Sequence, residues 1–179
     1  MTTKTDTHKS IFDSLKERFG YTNKMQAPHV MKIVVSTGVG SIQDKKRKEL
    51  IADRIAKITG QKPAEKKAKK SIASFKIREG DLSGFQVTLR GARMESFLNK
   101  LIHVVLPRTR DFRGLKASAI DGMGNFTIGI KEHTVFPETA DEDLRDVFGL
   151  AITLVTTAKT KEEAEALLRE LGVPLQTSA

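Results

Sequence analysis

Stretches with helical spacing of apolar residues are interspersed along the chain with stretches of two-residue alternation. Ile11, Phe12, Leu15 and Phe19 form one stripe, so Ser10–Phe19 predicts an amphipathic helix, closed by Gly20 as a left-handed cap. After a loop containing Pro28, Val30–Thr37 is dense in Val and Ile and predicts a strand. Gly38-Val39-Gly40 breaks it. Asp44 can cap a second helix reaching about Ile58, with Leu50, Ile51, Ile55 and Ile58 as its core stripe. Thr59-Gly60 stops that helix and Pro63 cannot continue it. Residues 61–78 predict a strand or strand pair rising into a projecting loop around Lys76–Ser83.

The second half is patterned as clearly. In Gly84–Arg90, Phe85, Val87 and Leu89 face one way and Gln86, Thr88 and Arg90 the other. Ala92–Val105 predicts a strong helix through Met94, Phe97, Leu98, Leu101, Ile102 and Val105, ended by Pro107. Arg108–Asn125 has no periodicity. Phe126–Lys131 alternates again, with Phe126, Ile128 and Ile130 inward, and His133–Glu138 is a loop closed by Phe136-Pro137. A short acidic helix at Asp141–Val147 and a strand at Leu150–Thr157 follow. Thr160 and Glu163 make a capping-box pattern for the last helix, whose stripe is Ala164, Leu167, Leu168 and Leu171; Gly172 and Pro174 close it.

Strands with one apolar and one polar face suit an antiparallel sheet covered on one side. The expected fold class is therefore α+β: an antiparallel sheet of about four or five strands, helices packed on one face, the open face toward a partner. The 179 residues fit a single domain, 1–179, with frayed ends at about 1–7 and 176–179.

Charge changes the picture most. The chain has 31 Lys+Arg and 22 Asp+Glu, a net +9, but residues 1–116 carry +15 and residues 117–179 carry −6. Such asymmetry points to a polyanion on one side. A membrane surface wants a basic helix with exposed aromatics, and the chain has no Trp and only Tyr21, so nucleic acid is preferred. Residues 61–78 hold seven Lys/Arg and one Glu between ordered-looking elements, which favours a phosphate-contacting stripe over a mobile tail. Arg108, Arg110 and Arg113 stand close together after a helix stop, and their planar forks suit phosphate, although Asp111 is positioned to neutralise one of them.

Other chemistry is poorly supplied. With no Cys and four dispersed histidines, thiol catalysis and Cys zinc sites are excluded and other metal sites disfavoured. Each histidine reads as a surface or half-buried residue, and His103 falls opposite the stripe of its helix. Gly38-Val39-Gly40 lacks the third glycine of a dinucleotide fingerprint, with Gln43 in its place, so a tight turn is the better reading. No nucleophile elbow or carboxylate pair suggests an enzyme, and no cofactor is expected. The polar start is no signal peptide and no apolar run would span a membrane, so the expected protein is soluble and kept in a reducing compartment. Sheet-stacking aromatics of the kind used on single strands are missing, so a folded RNA would be read by phosphates, 2′-hydroxyls and shape.

Nine ordered motifs add a resemblance. They are Met25-Gln26-Ala27-Pro28, Ser36-Thr37-Gly38-Val39-Gly40, Thr59-Gly60-Gln61-Lys62-Pro63, Lys69–Gly80, Val87-Thr88-Leu89-Arg90-Gly91, Arg108–Leu115, Asp121-Gly122-Met123-Gly124-Asn125, Phe136-Pro137-Glu138 and Thr156-Thr157-Ala158-Lys159. With their spacing, over about residues 8–175, the chain resembles the bacterial form of the ribosomal protein L five family. The resemblance implies an antiparallel sheet with helices on one side, and a structural protein of the cytoplasmic large ribosomal subunit. Its implied partners are 5S rRNA, 23S rRNA, the neighbouring 5S-binding proteins, P-site tRNA and the small-subunit head protein S thirteen.

Carried over by position, Met25, Gln26, Ser36, Thr37, Gly38, Gln61, Lys62, Thr88 and Arg90 would face 5S rRNA. Phe75, Lys76, Ile77, Arg78, Glu79 and Gly80 would form the tRNA-facing loop. Arg108, Arg110 and Arg113 would serve the intersubunit bridge or rRNA. The family usually has Asn at Ser36, Met at Thr37, Pro-Ile-Gly-Cys at Leu82–Phe85 and Asp at Ala151. A stand-alone RNA chaperone or regulator is the alternative reading, and an RNA-modifying enzyme a third that no residue supports.

Overall fold

The computed structural model describes residues 4–42, 44–75, 77–139 and 146–176, with backbone only for 4–10. Four main helices and a five-stranded antiparallel sheet make an α+β fold. The elements are α1 (Lys4–Phe19), β1 (Val30–Gly38), α2 (Lys45–Thr59), β2 (Ala64–Lys67), β3 (Leu82–Leu89), α3 (Gly91–Lys100 with its continuation), β4 (Phe126–Ile130), β5 (Leu150–Thr156) and α4 (Lys161–Glu170). The sheet order is β2-β3-β1-β5-β4.

The chain divides into two compact units, a central one of residues 33–112 and 128–152 and a terminal one of 1–32, 113–127 and 153–179. In the central unit, β1 and β3 pair antiparallel from Ile33↔Leu89 to Gly38↔Gly84, and β3 also pairs with β2. Strict alternation does the sorting: Ile33, Val35, Phe85, Val87 and Leu89 are buried, together with Ile51, Ile55 and Ile58 of α2 and the stripe of α3. Each such side chain contributes about 1.5–3 kcal/mol of transfer free energy. Gly84 is required for close approach, because a Cβ there would stand 2.6 Å from the Thr37 carbonyl oxygen.

Local signals explain the helix ends. The Asp44 carboxylate accepts from Lys46 N–H at the start of α2, and Gly60 closes α2 in the left-handed region at φ 67°. In the terminal unit α1 and α4 share a core of Ile11, Leu15, Ala166 and Leu167, with Phe19, Tyr21 and Leu171 packed on it. At the start of α4, Thr160 accepts from Glu163 N–H, but the Glu163 carboxylate reaches back to Lys159 N–H, one residue before the cap.

Several expectations need correction. Helix α1 is already formed at Lys4 rather than Ser10, since a nucleated helix extends over polar residues at little cost. Pro107 does not end α3. Leu101–Val105 winds as a π turn in which Leu106 N–H donates to the Leu101 carbonyl, and Pro107 then stands in the first turn of Leu106–Arg108, where no N–H is needed. The lysine-rich stretch is a strand only over Ala64–Lys67; beyond it come a 3-10 turn at Ala73–Phe75 and an isolated bridge, Ile72↔Ile77. Leu82 and Ser83 belong to β3, so the loop ends sooner than expected. His133 is fully buried rather than superficial, its ring stacked 4.1 Å from that of Phe148. The acidic helix expected at Asp141–Val147 falls largely outside the described residues.

Candidate nucleic-acid interface

In the central unit the even-numbered positions of β1 and β3 form the face opposite the core. Cross-strand pairing sets Val34 beside Thr88 and Ser36 beside Gln86. These side chains are half-exposed. Strand β2 extends the same face, with Ala64 opposite Gln86 and Lys66 opposite Gly84. The result is a surface of small side chains, polar at Ser36, Gln86 and Thr88, apolar at Val34 and Ala64 and edged by lysine, of a shape that a wide RNA minor groove can accept. Gln86 and Lys66 belong to this surface although they are absent from the residues expected to face 5S rRNA; the alternation of β3 already marked Gln86 as outward.

Thr37 points to the other side. It is 7% exposed and its hydroxyl donates to the Gly149 carbonyl at 2.7 Å. Its donor is thus spent inside the protein, whereas Ser36, one residue earlier, is on the open face. Gly38 is exposed at the end of β1, and Arg90 is exposed just beyond β3 at the N-cap of α3. Gln61 and Lys62 follow the Gly60 cap of α2, the first half-buried and the second exposed.

Met25 and Gln26 belong to the terminal unit. Gln26 Oε1 accepts from the N–H groups of Thr22 and Asn23, and the Asn23 side chain accepts from Met25 N–H, a capping box around a single 3-10 turn. That turn holds Met25 89% exposed. Gln26 therefore builds the platform through its side-chain oxygen.

The segment between β2 and β3 is a bonded structure. Ala68 N–H donates to Asp81 O and Gly80 N–H to Ala68 O at its base, while Ile72 and Ile77 exchange backbone bonds nearer the tip. The Asp81 carboxylate accepts from Arg78 N–H, and Ser71 Oγ from Glu79 N–H. Phe75 is 69% exposed at the tip, and Arg78, Glu79 and Gly80 are exposed below it. Ile77 is half-buried and turned toward Gly40, where an added Cβ would meet its Cδ1 at 3.1 Å. Lys76 lies outside the described residues.

Arg108, Arg110 and Arg113 are all exposed, and among the described residues none pairs with Asp111. Asp111 instead takes a positive φ of 52°, helping the chain turn. Further on, hydrogen bonds from the Asn125 side chain and backbone, and from Met123 N–H, hold the Asp121 carboxyl below its ordinary range. This turn leaves Met123 75% exposed. Among the described residues no helix is long and apolar enough to cross a membrane, and no group of His, Asp and Glu is arranged to hold a metal.

Comparison with known proteins gives one family over most of the chain. The profile of ribosomal protein L5 matches residues 23–78, and that of the C-terminus of the same ribosomal family matches residues 83–175. The chain is 50% identical over 167 residues to large ribosomal subunit protein uL5 of Flavobacterium johnsoniae, covering 93% of this chain and 91% of that one. It is 52% identical over 165 residues to the uL5 protein of Ligilactobacillus salivarius, covering 92% of each. With that of Desulfatibacillum aliphaticivorans it shares 49% over 176 residues, 98% of each chain.

Proposed function

The chain belongs to the ribosomal protein L5 family, and on that premise we propose that it binds 5S rRNA through the open face of β1 and β3 and fastens that RNA within the large ribosomal subunit. It is a structural constituent of the large subunit in the cytoplasm, working in translation and not an enzyme. The observation that carries the finer reading is the register Ser36↔Gln86 and Val34↔Thr88, which lays three hydrogen-bonding side chains, Ser36, Gln86 and Thr88, half-exposed on the face turned away from the core. Hydroxyl and amide groups of this size can reach 2′-hydroxyls and base edges across a shallow groove. Lys62, Lys66 and Arg90 supply phosphate contacts around it. An electrophoretic mobility assay with 5S rRNA against a length-matched control RNA tests this. Equal affinity for both RNAs would overturn it.

The remaining roles are proposals of the same standing. The loop with Phe75 at its tip suits contact with the P-site tRNA: a rigid base, one exposed aromatic and exposed Arg78. Arg108, Arg110 and Arg113 suit either 23S rRNA or the bridge to the small-subunit head protein S thirteen. Ribosomes carrying the triple Ala variant should show weakened subunit association if they serve the bridge.

A further inference from the structure

Helix α2 ends one residue before the turn that carries Gln61 and Lys62, and helix ends leave their last carbonyls without intrahelical donors. Thr59 Oγ1 donates to the Ile55 carbonyl at 2.7 Å and Gly60 N–H to that of Ala56 at 2.8 Å. The Ile58 carbonyl is met by a distant group, the Lys100 ammonium of α3, at 2.7 Å. The same ammonium lies 2.6 Å from Glu138 Oε1 and 5.6 and 5.8 Å from the ring centroids of Phe97 and Phe136. Phe136 is wholly buried and Phe97 nearly so. The cation is thus placed by α3, two rings and a carboxylate and ties them to the end of α2, which the buried Ile55 and Ile58 also seat in the core.

We propose that Lys100 is a positioning residue for RNA binding: it holds the C-terminus of α2 so that the adjoining Gln61 and Lys62 are presented to the RNA. This rests on the reading of Gln61 and Lys62 as RNA-facing. A cation at a helix C-terminus is favoured by the helix dipole, so the contact stabilises as well as orients. Lys100 touches no RNA itself on this view; its charge is committed to Glu138, Ile58 and the two rings.

The test is a double-mutant cycle on the full chain, reading affinity for 5S rRNA at one salt concentration, with thermal unfolding in parallel. Lys100→Met keeps the aliphatic packing on the rings and removes the donor; it should weaken binding about five- to tenfold. Lys100→Arg still donates to both acceptors and stacks on the rings, and should restore binding to within about twofold. Combined with Gln61→Ala and Lys62→Met together, Lys100→Met should add almost nothing beyond the loss those two cause. Fully additive losses, or unchanged affinity for Lys100→Met in the folded protein, would overturn the proposal. Gln61→Ala and Lys62→Met together without any effect would instead remove the RNA-facing reading on which it stands. Should Lys100→Met fail to fold, Glu138→Gln takes its place: it loosens one anchor, a loss of about two- to threefold is expected, and no loss overturns the proposal.

Discussion

The open face of β1 and β3 and the loop between β2 and β3 both belong to the central unit, and they are built in opposite ways. On the face, each outward side chain is placed by a ladder whose reverse side is packed with Ile33, Val35, Phe85, Val87 and Leu89. Moving Thr88 would mean moving the core. The loop is instead held by its own short-range bonds, Ala68 with Asp81 and Gly80, Ile72 with Ile77 and Ser71 with Glu79, and among its described residues Ile77 is half-buried toward Gly40. In the proposed roles, a surface that matches a folded RNA gains from the stiffness of the core, and a tip that meets a partner arriving and leaving can be bonded locally and changed without cost to the rest.

The comparison breaks most easily at Gly84. Gly84→Val drives a Cβ into the Thr37 carbonyl, so unfolding free energy in urea should fall by about 3 kcal/mol. A loss under about 1 kcal/mol would show that the β1–β3 ladder yields, and the stiffness argued for the face would be lost with it.

Salt sharpens the role of the face's basic rim. If about five phosphates are neutralised, raising salt from about 50 to 200 mM should weaken 5S binding roughly a hundredfold. A flat dependence would mean that the lysines merely solvate the protein.

Thr88→Val tests the face itself. It should cost about 1–2 kcal/mol of 5S affinity and leave unfolding almost unchanged, because the hydroxyl points away from the core. Unchanged affinity would place the RNA elsewhere.

The loop should give the complementary result. Phe75→Ala with Arg78→Ala should change stability by less than about 0.5 kcal/mol, leave 5S binding intact and reduce tRNA retention in assembled ribosomes. Loss of 5S binding with retained tRNA would reverse the assignment. Gly40→Ala, which crowds Ile77, should act in the same direction through the loop's anchor.

The smallest effect is a control in the terminal unit. Tyr21 is the chain's one tyrosine, and burial, then the neighbouring Glu163 carboxylate, push it up to about 12 from the ordinary 10. Its folded value is raised, so the stability it contributes is complete below about pH 10 and is lost as pH climbs toward 12. Ultraviolet titration of the phenol should give the same value in the parent chain and in the Thr88 and Phe75 variants. A shift would show that those substitutions reach beyond their own region.

What could be read in advance follows from periodicity. Phe85, Val87 and Leu89 alternate with Gln86 and Thr88, so β3 and its two faces were legible from residue order, as were the Asp44 and Gly60 limits of α2. The basic stripe and the motifs marked the candidate surface. Pro107 misled because a proline disfavours only the hydrogen-bonding register it occupies, and a π turn before it supplies another. His133 misled because loop residues are ordinarily exposed, whereas this ring is roofed by Phe148 from fifteen residues later.

Sequence alone determined the α+β class, the strand faces, the Asp44 and Gly60 caps of α2 and the positive charge of the first two-thirds, since each depends on composition or on neighbours within a turn or a two-residue repeat. Only the tertiary structure decided that Thr37 turns its hydroxyl inward to Gly149, that Gln86 stands beside Ser36, and that Lys100 donates to the Ile58 carbonyl at the end of α2. Those outcomes depend on which distant backbone carbonyl or strand comes within hydrogen-bonding reach. Buried polar groups must find such a partner, and local pattern does not say which one.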